Sequence, residues 1–360
     1  MVGKPLKNEM LQGLKIGAVF IGTVIGAGFA SGQEIMQFFT IYGPYGMISV
    51  FFTGIVFVSS AYLIFHCSVA LKAFNYNEFV KRLCGNRLGF LYDVIITAFL
   101  FLGVSIMFSG SAAIFEENLG LPKIMGIGVI CTLTLLVVFK SLDGILKVNS
   151  IIVPMISVLI AISAFKVLKS ANLYSIVNNN RALFDKSAFK AFFYMLFYCS
   201  YNIIMSLGVL TAFPQIVNNR KILFIGALIG GLGLMTLALL LNAVIITNVP
   251  YVLKKSVPML YIISKFHPFF KLAITLCIWC EIFSTAVSNV FSLGNRFSKK
   301  GKYSYNAVCI IIVLFSIPLS FFEFKSLIGF FYPLFGALSI ILILYIFFFG
   351  TIGKFFYVKD

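Results

Sequence analysis

The chain has 360 residues, 61% of them hydrophobic and 11% charged, with a mean hydropathy of +1.04. A water-facing domain of this size keeps about a quarter of its residues charged, so the composition excludes a soluble globular fold and suits a surface that faces lipid. The formal charge of +17 is split into short Lys/Arg clusters between apolar runs. Clusters so placed set topology and meet anionic headgroups, and they do not form the continuous basic face that nucleic acid requires.

Apolar runs of about 20 residues, enough to cross roughly 30 Å of hydrocarbon, recur along the whole length, while the short alternating segments of a β-barrel are absent. The fold class expected is an all-α integral membrane protein of about ten transmembrane helices. The spans are placed at approximately 12–39, 44–71, 88–114, 121–140, 145–168, 188–213, 222–247, 268–294, 305–322 and 326–350. The first, second, third, fifth, sixth and eighth are long enough to need a tilt or a break. No low-complexity linker divides them, so residues 1–360 read as one transmembrane domain.

The basic segment from Met1 to Leu14 has no small-residue cleavage site before the first span, and no cleaved signal peptide is expected. The first span follows with Gly22-Thr23-Val24-Ile25-Gly26-Ala27-Gly28-Phe29-Ala30-Ser31-Gly32-Gln33-Glu34. Four glycines in eleven residues make poor helix, each costing about 1 kcal/mol relative to Ala. One reading is a broken helix around Gly26–Gly28 whose second half starts near Ser31 with free amides for an anionic group. The other is a small-residue face for tight helix packing. Packing alone leaves Gln33 and Glu34, immediately after the glycines, without a reason, which favours the break.

Tyr42-Gly43-Pro44-Tyr45-Gly46 marks a tight external turn into the second span. His66, in that span, reads as a packing residue, because the chain's one other histidine, His267, is too far along to form a cluster. Residues 75–86 place Phe79, Val80 and Leu83 beside Lys81 and Arg82, as an amphipathic segment at the inner interface would. Asp93 and Lys147 lie near cytoplasmic helix ends, where a gating pair and simple snorkelling are equally open. In the sixth span, Phe197-Tyr198-Cys199-Ser200-Tyr201-Asn202 occupies the place that matches the first-span glycines. Ser206, Gly208 and Pro214 follow, so a second break and a merely hydrogen-bonded Asn202 both stay open. Asn242 and Asn289 suit bonds between helices. Residues 251–267 mix apolar side chains with Lys254, Lys255 and Lys265 and read as an external amphipathic helix or a lid near the interface.

The eighth span carries Glu281, Ser284, Thr285, Ser288 and Ser292, whose offsets put them on one helix face. Hydroxyls can bond to their own helix carbonyls, but Glu281 is an ionisable group inside a span, and such groups point to function. The seven cysteines lie mostly within apolar spans, and Cys277-x-x-Cys280 falls inside a membrane helix, so neither a disulfide framework nor a zinc site is expected. With the N-terminus inside, 17 of the 28 Lys and Arg residues fall on the inner side, and nine of the others lie in two long segments that weigh less in the positive-inside rule. Both termini are therefore expected in the cytoplasm, with the chain in a bacterial inner membrane. Ten spans divide into five plus five, about 12–168 and 188–350, and an odd number per half gives an inverted-topology repeat.

The run from Gly22 to Glu34 resembles the signature of the YkvI-like bacterial membrane proteins, themselves similar to the amino acid–polyamine–organocation superfamily of LeuT-type transporters. That resemblance implies that the first and sixth helices are unwound around a substrate held by Gly26, Ala27, Gly28, Ser31, Tyr201 and Asn202, with the amides near Ala27 and Gly28 facing a substrate carboxylate. It also implies a sodium ion between the first and eighth spans, held by carbonyls of Gly22, Ile25 and Glu281 and hydroxyls of Ser284 and Thr285. Glu34 and the Glu281 side chain lie so near this site that a proton could couple transport instead.

The expectation is a secondary active transporter, a cation-coupled symporter of a small organic solute such as an amino acid, working by alternating access. Its partners are the bilayer and that solute, with no cofactor beyond Na+ or H+. The sequence has no G-x-x-x-x-G-K-[ST] loop for ATP, and no nucleophile with a base or metal cluster for an enzyme. A passive channel and a sensor on a transporter scaffold are the competing readings.

Overall fold

The computed structural model describes residues 3–139, 143–170, 172–217, 219–264, 267–298 and 304–352. The described residues form helices and no strand. The first expected span is three helices, α1 (Gly3–Val24), α2 (Ala27–Ser31) and α3 (Gln33–Phe38). A 3-10 turn at Thr40–Tyr42 leads to α4 (Gly43–Ala70), and α5 (Tyr76–Leu119), α6 (Lys123–Val138), α7 (Asp143–Ser170) and the short α8 (Leu173–Asn179) complete the first half. The second half contains α9 (Ala188–Leu210), α10 (Phe213–Ile216), α11 (Arg220–Ile246), α12 (Pro258–Ile263), α13 (Pro268–Ser298), α14 (Tyr305–Ser320) and α15 (Phe324–Ile352). Each expected span coincides with helix. Among the described residues, six stretches are long and apolar enough to cross a membrane, and α6 and α14 are shorter apolar helices.

The outer surface carries the apolar residues that composition called for. Phe51, Ile55, Phe90, Phe165, Phe315 and Phe348 are exposed on five different helices, a pattern that only a lipid solvent rewards. Inside, small residues let helices approach. Gly13 and Gly17 of α1 face Ile225 and Ile229 of α11, while Gly226 and Gly230 of α11 face Ile16 and Phe20 of α1. A Cβ on any of these four would come within 2.4 to 2.7 Å of the facing side chain. The first half of the broken span is thereby locked onto α11 by reciprocal close packing.

Local sequence sets the ends. Asn75 caps α5 through the Glu78 N–H at 2.9 Å, and Gly85 (φ 82°, ψ 171°) kinks it. The short helix before the kink buries Phe79, Val80 and Leu83 and exposes Lys81 and Arg82, as the amphipathic reading of residues 75–86 requires. The turn expected at Tyr42–Gly46 is present: Gly46 lies so close to the Phe39 carbonyl that a Cβ there would be 1.8 Å from the oxygen. Asp93 forms a two-pronged ion pair with Arg296, tying α5 to α13. The Lys147 side chain lies outside the described residues. All seven cysteines are free.

Two expectations need correction. The sixth span is not broken across 197–202: α9 is continuous from Ala188 to Leu210 and turns only at Thr211–Ala212. Its polar side chains bond to their own helix four residues back, Ser200 to Leu196, Asn202 to Tyr198, Ser206 to Asn202 and Thr211 to Leu207. These groups support the helix they sit on, and no glycine precedes Gly208 to release the backbone. Of the two readings of residues 251–267, an amphipathic helix lying near the interface and a lid, the first is overturned across residues 251–263. They form a 3-10 turn and α12, whose Met259, Ile262 and Ile263 are almost fully buried against α2, α11 and α13.

Candidate functional site

The centre of the bundle is built on the first-span glycines. Ile25 still donates to the Ile21 carbonyl and Ala30 already donates to Gly26, both at 2.9 Å. Between them Gly26 is extended, with φ −119° and ψ −171°. The break expected from Gly26–Gly28 therefore exists, and it lies at Ile25–Gly26. Its second half begins at Ala27 rather than near Ser31. Ser31 closes α2 instead, donating its hydroxyl to the Gly28 carbonyl at 2.9 Å. The amides of Ala27 and Gly28 fall in the first turn of α2, where a helix offers no internal acceptor.

A second interruption was not foreseen. Gly32 adopts the left-handed conformation, φ 79°, between α2 and α3, which a side chain rarely tolerates. The turn brings Glu34 back over Gly28: a Cβ built on Gly28 would lie 2.1 Å from Glu34 Oε1. Glu34 Oε2 in turn accepts the hydroxyl of Tyr201 on α9 at 2.7 Å. Glu34 thereby links Gly28 of α2 to Tyr201 of α9. Glu34 is 4% exposed, so neither partner can turn to water, and a buried donor or acceptor left unpaired costs about 1–3 kcal/mol.

Aromatic rings close over this pair. Around Tyr201 stand Phe38, Phe99, Tyr198 and Tyr332, with ring centroids 5.1 to 6.1 Å away. The spacing Tyr194, Tyr198, Tyr201 on one face of the sixth span was the available signal for them, but it looks like ordinary core packing in a chain with 42 phenylalanines and 16 tyrosines. Asn202 is buried, yet its amide NH2 goes to its own helix, so the structure does not bring it to Gly28. Ser206 meets the first span differently, as acceptor of the Thr23 hydroxyl at 3.2 Å.

The eighth-span residues lie on α13, which packs against α2. Thr285 Oγ1 stands 3.9 Å from a Cβ built on Gly26, so it reaches the break. The Ser284 hydroxyl donates to the Glu281 carbonyl and to Glu281 Oε2, both at 3.1 Å. Glu281 Oε1 is buried without a partner. The polar stripe fades along the helix, from buried Glu281 and Ser284 to exposed Ser292. Gly22 is the last turn of α1, and Ile25 lies in the break itself. Among the described residues, no group of three or more His, Cys, Asp and Glu could hold a metal ion. Asn242 makes its expected interhelical bond, accepting from Thr40 at 2.7 Å.

No protein-family model matches the chain. It is 29% identical over 330 residues to the uncharacterised membrane protein YkvI of Bacillus subtilis, covering 89% of this chain and 91% of that one. It is also 25% identical over 347 residues to the uncharacterised protein YyaD of the same organism, covering 95% and 98%. Among solved structures it resembles MhsT in complex with L-phenylalanine, with a TM-score of 0.63 at 17% identity over 92% of this chain and 87% of that one. It resembles inward-facing Mhp1 with a TM-score of 0.54 at 9% identity, over 91% and 73%. A manganese transporter of Eremococcus coleocola gives 0.57 at 11% identity, over 96% and 80%. These neighbours share the fold of LeuT-type transporters and none is an enzyme. The chain is similar in sequence to the YkvI membrane protein and carries the LeuT-type fold.

Proposed function

We propose that the chain is a secondary active transporter that moves a small organic solute, an amino acid or related compound, by alternating access. The observation that carries the reading is the broken first span, held open inside the bundle with its buried carboxylate bonded across to α9. Non-helical backbone at membrane depth is tolerated only where protein or a cavity satisfies it, and in transporters of this fold such breaks mark the solute site. The relation to MhsT, which was solved with L-phenylalanine, supports an amino-acid-sized solute.

In this reading the solute sits beside Gly26, Ala27, Gly28, Ser31 and Tyr201, with Asn202 next to Tyr201 in the chain and its amide bonded to its own helix. A sodium ion takes carbonyl oxygens of Gly22, Ile25 and Glu281 with the Ser284 and Thr285 hydroxyls, or a proton is carried by Glu34 or Glu281. Two five-helix repeats, about 12–168 and 188–350, face each other in inverted topology within one domain. Both termini lie in the cytoplasm of a bacterial cell, with the chain in the inner membrane.

Uptake by proteoliposomes under imposed sodium or proton gradients tests the function. Accumulation that collapses with the gradient supports it. Conductance without accumulation establishes a channel, and neither response leaves a sensor.

A further inference from the structure

In the orientation proposed above, Lys166, Lys169, Arg181, Lys186 and Lys190 crowd into residues 166–190 on the outer side, where the positive-inside rule keeps Lys and Arg scarce. Two of them, Arg181 and Lys186, line a cavity of about 320 Å³ together with Tyr42, Pro44, Tyr45 and Asn178. That volume lies within the range of small-molecule pockets, roughly 300–1,000 Å³. None of the residues lining the cavity belongs to the first-span break or to α13.

The cavity sits at a seam, where the segment before α9 folds onto the turn after α3. A Cβ on Gly43 would come within 2.7 Å of the Phe184 ring, and the Asp185 N–H donates to the Ile41 carbonyl at 2.9 Å. Asp185 also lines the cavity, but its charge is already answered. Its Oδ2 accepts from the Lys190 ammonium at 2.9 Å and its Oδ1 from the Ser187 N–H at 3.0 Å. Arg181 and Lys186, both exposed, form no ion pair among the described residues. The cavity is left with an excess of positive charge. A guanidinium fork beside an ammonium suits the oxygens of a phosphate or a carboxylate.

The helix below the cavity separates a dissolved anion from a lipid. Tyr45 lines the cavity and also begins a stripe of exposed apolar side chains on α4, formed by Tyr45, Ile48, Phe52 and Ile55. Their spacing puts all four on one helix face. At 1.5 Å per residue the stripe is about 15 Å long, half of the roughly 30 Å of bilayer hydrocarbon. It therefore reaches as deep as one leaflet. A positive cavity at the head of a leaflet-deep apolar stripe has the charge and the shape of a phospholipid.

We infer that the cavity binds an anionic phospholipid of the outer leaflet, with Arg181 and Lys186 on its phosphodiester. The headgroup lies against Asn178 and the rings of Tyr42 and Tyr45, and an acyl chain follows the α4 stripe. A lipid seated there bridges the first-span turn and the segment before α9 and holds the seam together. The site is separate from the solute site, and its test does not depend on transport.

Native mass spectrometry of the purified full-length protein counts the lipids retained when phosphatidylglycerol or phosphatidylcholine with the same acyl chains is titrated in detergent. Phosphatidylglycerol is expected to bind at least about tenfold more tightly than phosphatidylcholine and to raise the unfolding temperature. Arg181→Gln/Lys186→Gln is expected to bring phosphatidylglycerol down to the phosphatidylcholine level and to remove the thermal shift. Lys254→Gln/Lys255→Gln, which deletes the same charge from the other long outer segment, is expected to leave both effects intact. Equal retention of the two lipids overturns the inference. An equal loss in both double variants also overturns it, since the preference would then belong to the general surface charge. A third arm adds soluble glycerol 1-phosphate as competitor. Its displacement of phosphatidylglycerol at comparable concentration would overturn the lipid assignment and give the cavity to a dissolved organic phosphate.

Discussion

The spans read as first and sixth both carry a dense run of polar and small residues, and only one of them breaks. In α9 each polar side chain finds its acceptor one turn back on its own helix. In the first span Gln33 and Glu34 follow four glycines, and the stronger of them, Glu34, leaves its own element to bond with α9. Polar residues within a span therefore do not predict an interruption. Glycine at positions where the backbone must turn or where a carboxylate must approach does predict one, because there a side chain has no room.

The largest effect in this comparison is expected at Gly28. The sequence treats Gly26 and Gly28 alike, whereas the structure separates them. A methyl group at Gly26 meets nothing nearer than Thr285 Oγ1 at 3.9 Å, an ordinary contact, but at Gly28 it meets Glu34 Oε1 at 2.1 Å and Cγ at 2.7 Å. Gly28→Val is expected to drive the carboxylate off Tyr201, to reduce proteoliposome uptake to background and to destabilise the fold by roughly 1–3 kcal/mol through overpacking. Gly26→Ala is expected to keep most of the uptake. The link to Glu34 is sharper still in a double-mutant cycle: adding Glu34→Gln to Gly28→Ala is expected to cost little more uptake than Gly28→Ala alone, since both act on one contact. Fully additive losses would assign Gly28 to backbone packing and detach it from the carboxylate.

The next effect concerns α13, which faces the break. Ser284 and Thr285 were expected to serve together as ligands of a sodium ion, but Ser284 is already bonded to Glu281 and Thr285 is the one beside Gly26. Thr285→Ala is expected to raise the sodium concentration for half-maximal uptake about tenfold, equivalent to about 1.4 kcal/mol of binding. Ser284→Ala is expected to raise it severalfold less. Uptake by the unaltered protein that ignores sodium altogether would remove the sodium site and leave coupling to a carboxylate, with Glu281 Oε1 unpaired and available.

Much of this architecture was legible before any coordinates, for reasons that particular residues make plain. Long apolar runs give spans because lipid satisfies nothing else. The Gly26–Gly28 break, the Asn242 bond and the amphipathic stretch at Phe79–Leu83 follow from chemistry that is local to a few positions. What escaped was non-local. The left-handed turn at Gly32 looks like any other small residue in a glycine-rich run, and the return of Glu34 to Gly28 depends on that turn. The descent of α12 into the bundle was hidden because Lys254 and Lys255 suggested a surface, while Met259, Ile262 and Ile263 decided the matter by burial. Asn202 misled in the other direction, since a polar residue at depth signals function only when its own helix does not satisfy it.

That last point sets a smaller effect. Asn202→Ala removes the bond to the Tyr198 carbonyl, but a helix carbonyl in α9 already accepts from its backbone partner. The substitution is expected to change uptake by less than about twofold and stability by less than about 1 kcal/mol. A loss as deep as that of Gly28→Val would place Asn202 in the solute site and restore the symmetry between the two spans.

The smallest effect is expected where the two spans are joined outside the bundle. The segment before α9 folds back on the turn that follows α3: the Asp185 N–H donates to the Ile41 carbonyl at 2.9 Å, and Phe184 packs on Gly43. The Lys190 ammonium, 2.9 Å from Asp185 Oδ2, and the Ser187 N–H at 3.0 Å together hold the Asp185 carboxyl below its ordinary range. A carboxylate with a lowered folded value adds stability above its ordinary range and loses it as pH falls through the lowered value. Asp185 is open to solvent, and exposed pairs of this kind are weak and screened by salt. Asp185→Asn is therefore expected to lower the unfolding temperature slightly at neutral pH and low salt, with the difference from the unaltered protein closing in acid and in high salt. A difference that persists unchanged in acid would mean that the backbone contact to Ile41 alone clamps this segment to the first span, with the charge contributing nothing.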